Sequence, residues 1–458
     1  MKQIRTRFAP SPTGFMHLGN LRTALYAWLY SKNNNGSFIL RVEDTDRSRY
    51  VEGAIDVIYE TLKDCGLSWD EGPDVGGDYA PYIQSERKDS YMEYALKLIE
   101  KGDAYYCICP PDCDTCTCRD LKLEQPSQPF VIRQKSPKDG STSFKDEIYG
   151  EITVDNKEIE DQILIKSDGM PTYNFANVID DHFMNITHII RGNEYLTSTP
   201  KYNLLYEAFG WELPAYIHVP QIMRDATHKL SKRDGDAYFG DFKEKGYLTS
   251  AIINYIALLG WSPKGGDAER EIFTLDELAR AFGTDGISKS PAIFDSEKMR
   301  AINAEHIRRL SPEQFKEAAI PYIGDHPVNY DILCAALQPR TEVLSDITAQ
   351  VDFLKEPCAY TPELYYNKKM KTSPDTARSA LNEALGVLKS TESFTKDELY
   401  SAFKLLAEEN AQKPGYYLYP LQIALTGKPA APGGGLDICV MFGKEESMNR
   451  IGKAIEEL

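Results

Sequence analysis

The stretch Pro10-Ser-Pro-Thr-Gly-Phe-Met-His-Leu-Gly-Asn20 decides how this chain is organised. Residues 4–9 before it carry β-favouring side chains, and the prolines at its start cannot donate to a sheet ladder, so they end a strand. After it, apolar residues recur with the spacing of an amphipathic helix: Leu21, Ala24, Leu25, Trp28 and Leu29. Residues 17–20 are therefore expected at a helix N-terminus that follows a strand and a turn.

Such a helix N-terminus suits an anion, because its backbone N–H groups and the positive end of the helix dipole point to the same place. Gly14 and Gly19 carry no side chain that would hold a phosphate group away, and His17 adds a hydrogen-bond donor. The pattern also fits an ordinary strand-to-helix connection with a surface or capping histidine. A second motif is needed before it indicates nucleotide binding.

The second motif is Lys229-Leu-Ser-Lys-Arg233, which follows a short strand-like segment at 217–220 and precedes the turn signal Asp234-Gly235. Three cations in five residues suit a mobile clamp on a polyphosphate, where they stabilise charge that develops in a transition state. A charge run alone is usually a solvated surface. The two motifs together therefore favour a nucleotide site more strongly than either does alone.

Together the two motifs resemble the signatures of class I aminoacyl-tRNA synthetases. Five further segments resemble the bacterial-type glutamyl-tRNA synthetases in particular, at residues 8–14, 41–46, 173–177, 190–195 and 257–262. The resemblance runs through nearly the whole chain and is least typical from Cys107 to Lys166. It implies an α/β Rossmann-like nucleotide-binding catalytic domain with an α+β insertion, followed by all-α C-terminal domains.

The resemblance also implies an order of domains along the chain. We expect the first half of the catalytic domain in 1–104, an acceptor-end-binding insertion in 105–166, the second half with the Lys-Leu-Ser-Lys-Arg loop in 167–245, a helical stem-contact domain in 246–330 and a helical anticodon-binding region in 331–458. The helical C-terminus argues against the related glutaminyl enzymes, which read anticodons with β-barrels. It also argues against a truncated relative that glutamylates queuosine in tRNA.

Composition narrows the class of protein. The formal charge of −17 over 458 residues argues against a protein that coats nucleic acid by bulk electrostatics, although a local basic track for tRNA remains open. No run reaches the roughly 18 to 20 apolar residues that a membrane span needs. The charged N-terminus lacks the apolar segment of a signal peptide, so a cytoplasmic protein without a membrane partner is predicted.

Five of the nine cysteines fall between residues 107 and 118. In a reducing compartment such a cluster indicates a metal site before a disulfide, and two Cys-x-Cys pairs can close a tetrahedral Zn²⁺ site. The predicted zinc ligands are Cys107, Cys109, Cys116 and Cys118. Some members of the resembled family carry zinc at this place. Cys113 and Asp120 compete with Cys116 as the fourth ligand, and a reduced, metal-free cluster is the alternative.

Other acidic and histidine residues could suggest a second metal site. The pair Asp180-Asp181 is interpreted instead as the turn that ends a helix. His182, His188 and His218 share no metal-ligand spacing, so buried or strand-end structural roles are predicted for them.

The site residues are carried over from the resembled family by motif match. The implied catalytic residues are His17, Lys229, Lys232 and Arg233. The implied ATP-binding residues are Ser11, His17, Gly19, Asn20, Glu194 and Lys232. The implied glutamate-binding residues are Arg7, Ala9, Ser11, Glu43, Tyr173, Asn177, Arg191 and Tyr195. Arginine suits the glutamate side chain because its planar fork binds a carboxylate through two hydrogen bonds.

The resemblance implies an ATP-dependent enzyme that ligates L-glutamate to the 3′ end of tRNA(Glu) through glutamyl-adenylate, with Mg²⁺ on the polyphosphate. A monomer is expected, and charging of tRNA(Gln) as a second partner is left open. The alternatives are a catalytically inactive or regulatory tRNA-binding paralogue and an enzyme that glutamylates another tRNA acceptor. The presence of both His17 and Lys232 argues against the inactive paralogue.

Overall fold

The structure is a computed structural model that describes residues 3–46, 50–110, 116–230, 238–357 and 361–458. The chain divides into two compact units. The first comprises Met1–Glu244 and Thr249–Ser296, and the second comprises Lys245–Leu248 and Glu297–Leu458. None of the described helices combines the length and the apolar composition that a membrane span requires.

The strands among the described residues all belong to the first unit. They are β1 (Arg5–Phe8), β2 (Ser37–Leu40), β3 (Ala104–Cys107), β4 (Val131–Gln134), β5 (Ser141–Asp146), β6 (Gly150–Asp155), β7 (Ile163–Ile165), β8 (His188–Gly192), β9 (Ala215–Val219), β10 (Ile222–Met223) and β11 (Ala292–Ile293). The helices of this unit are α1 (Leu18–Asn33), α2 (Ala54–Asp64), α3 (Lys88–Lys101), α4 (Tyr173–Phe183), α5 (Thr199–Phe209), α6 (Phe239–Glu244), α7 (Thr249–Leu258) and α8 (Leu275–Ala281).

Parallel pairing sets the framework of the site. β1 pairs with β2 in parallel, and β8 pairs with β9 in parallel with Arg191 opposite His218. Strand β5 joins β9 in parallel at Asp146 and Tyr216, and it pairs antiparallel with β6. Two strands from the stretch expected to form an insertion therefore share a four-stranded sheet with β8 and β9.

The rest of that stretch forms a separate three-stranded sheet in the order β3-β4-β7. Its buried side chains pack with those of α3, α4 and α5 in one cluster that includes Leu98, Ile132, Leu164, Phe175 and Leu205. An α+β arrangement is therefore present, as the sequence pattern predicts.

The first helix begins where the apolar spacing predicts. Leu21, Ala24, Leu25 and Leu29 on α1 are fully buried, so the periodic face is the core face. Helix α4 differs from expectation, because it runs through Asp180 and Asp181 to Phe183. The prediction that this acidic pair is a helix-ending turn is wrong. Both carboxylates are buried and meet arginines from distant parts of the chain.

The described residues of the second unit form helices joined by turns. These are α9 (Ser296–Arg308), α10 (Pro312–Ile323), α11 (Tyr330–Leu337), α12 (Asp346–Gln350), α13 (Pro374–Ser390), α14 (Lys396–Glu409), α15 (Pro414–Thr426) and α16 (Gly435–Glu457). One hydrophobic cluster runs through the unit, with fully buried side chains such as Phe315, Leu381, Phe403 and Ile451. Helix α16 is interrupted at Gly443, whose φ of 79° is a left-handed conformation.

Candidate functional site

A cavity of about 520 Å³ lies at the carboxyl ends of β1, β8 and β9. Ligands in open α/β sheets bind at this edge, because the loops that leave the strands surround it. The predicted site residues that line the cavity are Arg7, Ala9, Ser11, His17, Gly19, Asn20, Glu43, Tyr173, Arg191, Glu194, Tyr195 and Lys229. Residues predicted separately for a nucleotide and for an amino acid therefore share one cavity.

The helix N-terminus forms one end of this cavity. His17 is the N-cap of α1, and its Nδ1 accepts a hydrogen bond from the backbone N–H of Gly19 at 3.1 Å. Since Nδ1 is an acceptor, the ring proton lies on Nε2, which is therefore the donor that His17 can offer. The first turn of α1 contains no acidic side chain, so the positive end of the helix dipole is not neutralised there.

A network of buried charges lies along a second side of the cavity, which Arg7 and Glu43 line. We call this network the carboxylate wall: Arg7, Arg41, Glu43, Asp180 and Asp181. Asp181 accepts from Arg7 Nε at 3.1 Å and from Arg41 Nη1 at 2.8 Å. Arg41 Nη2 donates to Glu43 Oε1 at 3.0 Å. Asp180 joins the network through Arg41, whose Nε lies 3.9 Å from Asp180 Oδ2, and it also accepts from Arg87 Nε at 2.7 Å. Every member is buried, so each arginine is held in place by an anion of the protein.

The pKa values of the carboxyl groups in this wall are shifted in different directions. Burial raises the pKa of Glu43 to about 7, against the lowering effect of Arg41 and Arg7. Burial also acts to raise the pKa of Asp181, but Arg7 and Arg41 hold it below its usual value. Glu43 Oε2 is buried and has no hydrogen-bond partner among the described residues. This oxygen is therefore available to a cationic group in the cavity.

Aromatic rings, rather than carboxylates, surround Arg191. We call this group the tyrosine wall: Arg191 with Tyr195, Tyr202 and Tyr216. The guanidinium carbon lies 5.2, 4.8 and 5.4 Å from the centroids of these three rings. Arg191 donates from Nε to His218 at 3.0 Å and from Nη2 to Thr199 at 2.8 Å. Its Nη1 is buried and has no partner in the described part of the chain.

Four predicted residues call for comment. Asn177 is buried and donates to the backbone oxygen of Tyr173 at 3.0 Å, and it is not among the described residues that line the cavity. Lys229 lines the cavity and is exposed. Lys232 and Arg233 lie outside the described residues, so the structure does not place the rest of the Lys-Leu-Ser-Lys-Arg motif.

Sequence reasoning missed Arg22 of α1. This side chain is buried, lines the cavity, and donates to the backbone oxygens of Leu259 at 2.7 Å and of Pro220. It ties α1 to the segment after β9 and to the end of α7. The signal in the sequence is a charged residue inside the apolar face of a helix, five residues after His17.

The cysteine cluster lies apart from this cavity. The Sγ atoms of Cys107, Cys109, Cys116 and Cys118 all lie within 4.8 Å of one another, with separations of 3.4 to 3.9 Å for three of the pairs. Tetrahedral Zn²⁺ with Zn–S bonds of about 2.3 Å needs sulfurs about 3.8 Å apart, so this donor set fits zinc. Asp120 is exposed and pairs with Lys135 at 3.1 Å, and Cys113 lies outside the described residues.

Burial and backbone contacts make these thiols unequal. Burial raises the pKa of Cys107 to about 12. A backbone hydrogen bond from Thr117, together with the thiol of Cys118, lowers the pKa of Cys109 to about 6. The thiolate is the form that ligates a metal ion, so a thiol that ionises readily suits a metal site.

Comparisons with known proteins agree with this geometry. A family model for the catalytic domain of class I tRNA synthetases (E and Q) matches residues 3–113 and 115–301, and an anticodon-binding-domain model matches residues 303–455. The glutamate–tRNA ligase of Clostridium botulinum (strain Hall) is 52% identical over 100% of this chain and 99% of its own. That of Clostridium novyi is 51% identical over 100% and 98%.

Solved structures give the same result. A glutamate tRNA ligase from Elizabethkingia meningosepticum, crystallised in complex with its amino acid, has a TM-score of 0.91 and 35% identity, with 100% of both chains covered. The glutamate-tRNA synthetase of Elizabethkingia anophelis has a TM-score of 0.89 and 34% identity over 99% of this chain and 100% of its own. The resemblance predicted from the motifs, with its Rossmann-like catalytic domain and helical C-terminus, is confirmed. The chain therefore belongs to the glutamate–tRNA ligase family of class I aminoacyl-tRNA synthetases.

Proposed function

We propose that this chain ligates L-glutamate to the 3′ end of tRNA(Glu) at the expense of ATP, for protein synthesis. The α-carboxylate of glutamate attacks the α-phosphorus of ATP, which forms glutamyl-adenylate and releases pyrophosphate. The terminal adenosine hydroxyl of the tRNA then takes the glutamyl group and releases AMP. Full-length relatives of this activity and both family models support the proposal.

One observation in the structure carries the choice of amino acid. Arg191 is a buried cation that lines the cavity without a carboxylate partner among the described residues, and its Nη1 is unpaired. A buried unpaired charge is costly, so an anion of the ligand completes the site. The side-chain carboxylate of glutamate supplies that anion. Glutamine has a neutral amide and leaves the cost unrelieved, which is the basis of discrimination.

The remaining groups of the cavity fit the rest of the amino acid. Glu43 Oε2, which lacks a protein partner, suits the ammonium group of glutamate. Arg7 lies beside the cavity with its Nε fixed by Asp181, and it supports carboxylate binding. Ala9, Ser11, Tyr173 and Tyr195 line the same cavity and would enclose the ligand. Asn177 would act through the backbone of Tyr173.

Catalysis of adenylate formation needs positioning and charge stabilisation rather than a protein nucleophile. The Nε2 donor of His17 and the N-terminus of α1 would stabilise the transferring phosphate, with Gly19, Asn20 and Glu194 lining the nucleotide end. Lys229 would contact the polyphosphate. Lys232 and Arg233 are assigned to it from the sequence motif alone. Mg²⁺ would neutralise the polyphosphate charge when bound with ATP.

Two further assignments extend the proposal. The four-cysteine cluster would hold a structural Zn²⁺ that ties together the loop between β3 and β4. The second unit, whose residues 303–455 match an anticodon-binding model, would contact the anticodon, with the stem contact in 246–330 and the acceptor end at 105–166. We propose a cytoplasmic monomer with tRNA(Glu) as its cognate partner.

The first experiment measures pyrophosphate release from ATP with glutamate, glutamine or aspartate, each with and without total tRNA. Acid-gel electrophoresis then identifies the acylated tRNA and shows whether tRNA(Gln) is charged as well. Turnover that requires glutamate and leaves it on tRNA(Glu) is the expected result. Folded protein that binds ATP but shows no turnover would overturn the assignment in favour of a tRNA-binding paralogue.

A matched variant tests the nucleotide end. In His17→Asn the side chain can still cap α1, because asparagine is a preferred N-cap residue, but the Nε2 donor is lost. We expect kcat to fall by about 10² to 10³ with little change in the KM for glutamate or in Tm. A variant that loses Tm in parallel with kcat would show that His17 acts through the helix cap instead.

A further inference from the structure

His218 on β9 contacts a polar partner through each ring nitrogen. Its Nδ1 lies 2.7 Å from Asp146 Oδ2, and its Nε2 lies 3.0 Å from Arg191 Nε. The side chains of His218 and Asp146 are completely buried. Neither residue is among the described residues that line the cavity, but His218 contacts Arg191, which does line it.

The direction of these hydrogen bonds follows from which of the groups can donate. A guanidinium group can only donate, so Nε2 of His218 accepts and the ring proton lies on Nδ1. Nδ1 then donates to Asp146. The other carboxylate oxygen of Asp146 accepts from the backbone N–H groups of Ile148 and Tyr149, both at 2.8 Å. Asp146 is therefore fixed by the backbone and itself fixes the tautomer of His218.

The surroundings keep His218 neutral. Its neighbours are Arg191 on β8, Arg7 on β1 and Asp146 on β5, while the rings of Phe144 and Tyr216 pack beside it. Burial lowers its pKa to about 4, and the two arginines add to this lowering against the raising effect of Asp146. Protonation of His218 would also remove the acceptor at Nε2, which faces Arg191. Arg191 thus meets an uncharged acceptor throughout the physiological pH range.

The contacts of Arg191 account for two of its three nitrogens. Nε donates to His218, and Nη2 donates to Thr199 Oγ1, whose own hydroxyl donates to the backbone oxygen of Tyr195 at 2.8 Å. These two bonds fix the plane of the guanidinium group. Neither acceptor carries a charge, so the positive charge of Arg191 is oriented without being neutralised.

We propose that His218 is a positioning residue for glutamate recognition, which holds the guanidinium plane of Arg191 so that Nη1 faces the side-chain carboxylate of the amino acid, and that Asp146 fixes the tautomer of His218 for this role. This inference rests on the proposed function for the identity of the ligand. Specificity for glutamate then depends on a neutral acceptor, His218 Nε2, that is held in a fixed position. A carboxylate in the place of His218 would orient Arg191 equally well but would compete with glutamate for its charge.

Two amide variants separate the two contacts of His218, because each can replace only one of its ring nitrogens. In His218→Gln the amide oxygen can replace Nε2 as the acceptor for Arg191, whereas in His218→Asn the amide nitrogen can replace Nδ1 as the donor to Asp146. We expect His218→Asn to raise the KM for glutamate by about 10- to 100-fold, which is the loss of one hydrogen bond to a charged group. His218→Gln should recover most of this loss. The KM for ATP should stay within about twofold in both variants.

The control is His188→Asn, which removes a half-buried histidine from the end of β8 opposite Arg191 and should leave the KM for glutamate unchanged. Equal loss in His218→Asn and His218→Gln, or a rise in the KM for ATP that follows a fall in Tm, would overturn the positioning role. In either case His218 would serve only to stabilise the fold.

A second measurement does not depend on the reaction. In protein labelled with ¹⁵N-histidine, the signal that disappears in His218→Asn should show a protonated Nδ1 and an unprotonated Nε2 at neutral pH and at about pH 5.5. An Nε2-protonated ring or an imidazolium would overturn the inference even if the enzyme charges tRNA(Glu). The expected tautomer in a protein without glutamate-dependent turnover would instead place the failure in the proposed function.

Discussion

The carboxylate wall and the tyrosine wall each hold one arginine beside the same cavity, but they do so by different means. Arg7 pairs with Asp181, an anion of the protein. Arg191 lies among three tyrosine rings and donates to a neutral imidazole and a hydroxyl. Both side chains are buried to a similar degree, at 4% exposure. The difference therefore lies in what compensates the charge.

This difference separates two tasks within one binding site. A cation that the protein already neutralises contributes structure, because its main partner is present with or without ligand. A cation that the protein only orients keeps its charge for the ligand, and its burial cost is relieved on binding. We therefore expect substitutions in the tyrosine wall to affect glutamate binding more than folding, and substitutions in the carboxylate wall to do the reverse.

The largest expected effect is that of Arg191→Gln. The variant should lower kcat/KM for glutamate by a factor on the order of 10³ or more, because a site built around a charged donor loses its main contact. The free energy of unfolding should be unchanged or higher, since an uncompensated buried charge is removed. Steady-state pyrophosphate release and a urea titration of the full chain measure the two quantities.

Arg191→Lys is the control for Arg191→Gln. It keeps the charge but not the planar fork, so it should recover only part of the activity. An Arg191→Gln protein that unfolds readily would contradict the comparison, because Arg191 would then be as structural as Arg7.

The next effect is that of Asp181→Asn in the carboxylate wall. This substitution leaves Arg7 and Arg41 without the carboxylate that joins them, and breaking a buried pair in this way costs about 3–5 kcal/mol. The urea titration should show this loss in the free energy of unfolding. Glu93→Gln removes one partner of the exposed pair with Lys97 and serves as the control, with no change expected. A stability loss that is no larger than the control's would show that the wall is not structural.

The sequence predicts the local features of the site better than it predicts the contacts of the two walls. The helix N-terminus at His17 and the core face of α1 follow from local spacing, and both are where the pattern places them. The assignment of Arg191 to the glutamate site comes from a motif match and stays a prediction. Local patterns suffice for this helix because its apolar spacing and its N-cap contact lie within a few residues.

The contacts within the carboxylate wall could not be predicted in this way, although motif matches name Arg7 and Glu43 as glutamate-binding residues. Asp181 meets Arg41 and Arg7 across 140 and 174 residues, and no local spacing reports such a contact. A charged pair in a polar-looking segment predicts a turn, whereas the structure buries Asp180 and Asp181 inside α4. The same holds for Asp146, whose contact with His218 depends on the parallel pairing of β5 with β9.

The smallest effect is a pH dependence that the carboxylate wall imposes on ligand binding. Burial raises the pKa of Glu43 to about 7, so its carboxyl group is largely protonated below that pH in the free enzyme. The ammonium group of glutamate favours the ionised form, and a protonated Glu43 must lose its proton for the ligand to bind. The KM for glutamate should therefore rise as pH falls, by about tenfold between about pH 7.5 and about pH 6.

Glu43→Gln separates this group from the other titrating residues. Its KM for glutamate should be high and nearly independent of pH over the same range, while the KM for ATP should follow the wild-type profile. If the variant kept the wild-type slope, the titrating group would lie elsewhere and the ammonium contact would have to be reassigned. If the slope disappears, Arg41 compensates the charge of Glu43 only in part, and Glu43 Oε2 remains for the ammonium group of the ligand. The two walls would then differ only in how far each contributes to ligand binding, because the carboxylate wall would supply one oxygen, Glu43 Oε2, to glutamate recognition.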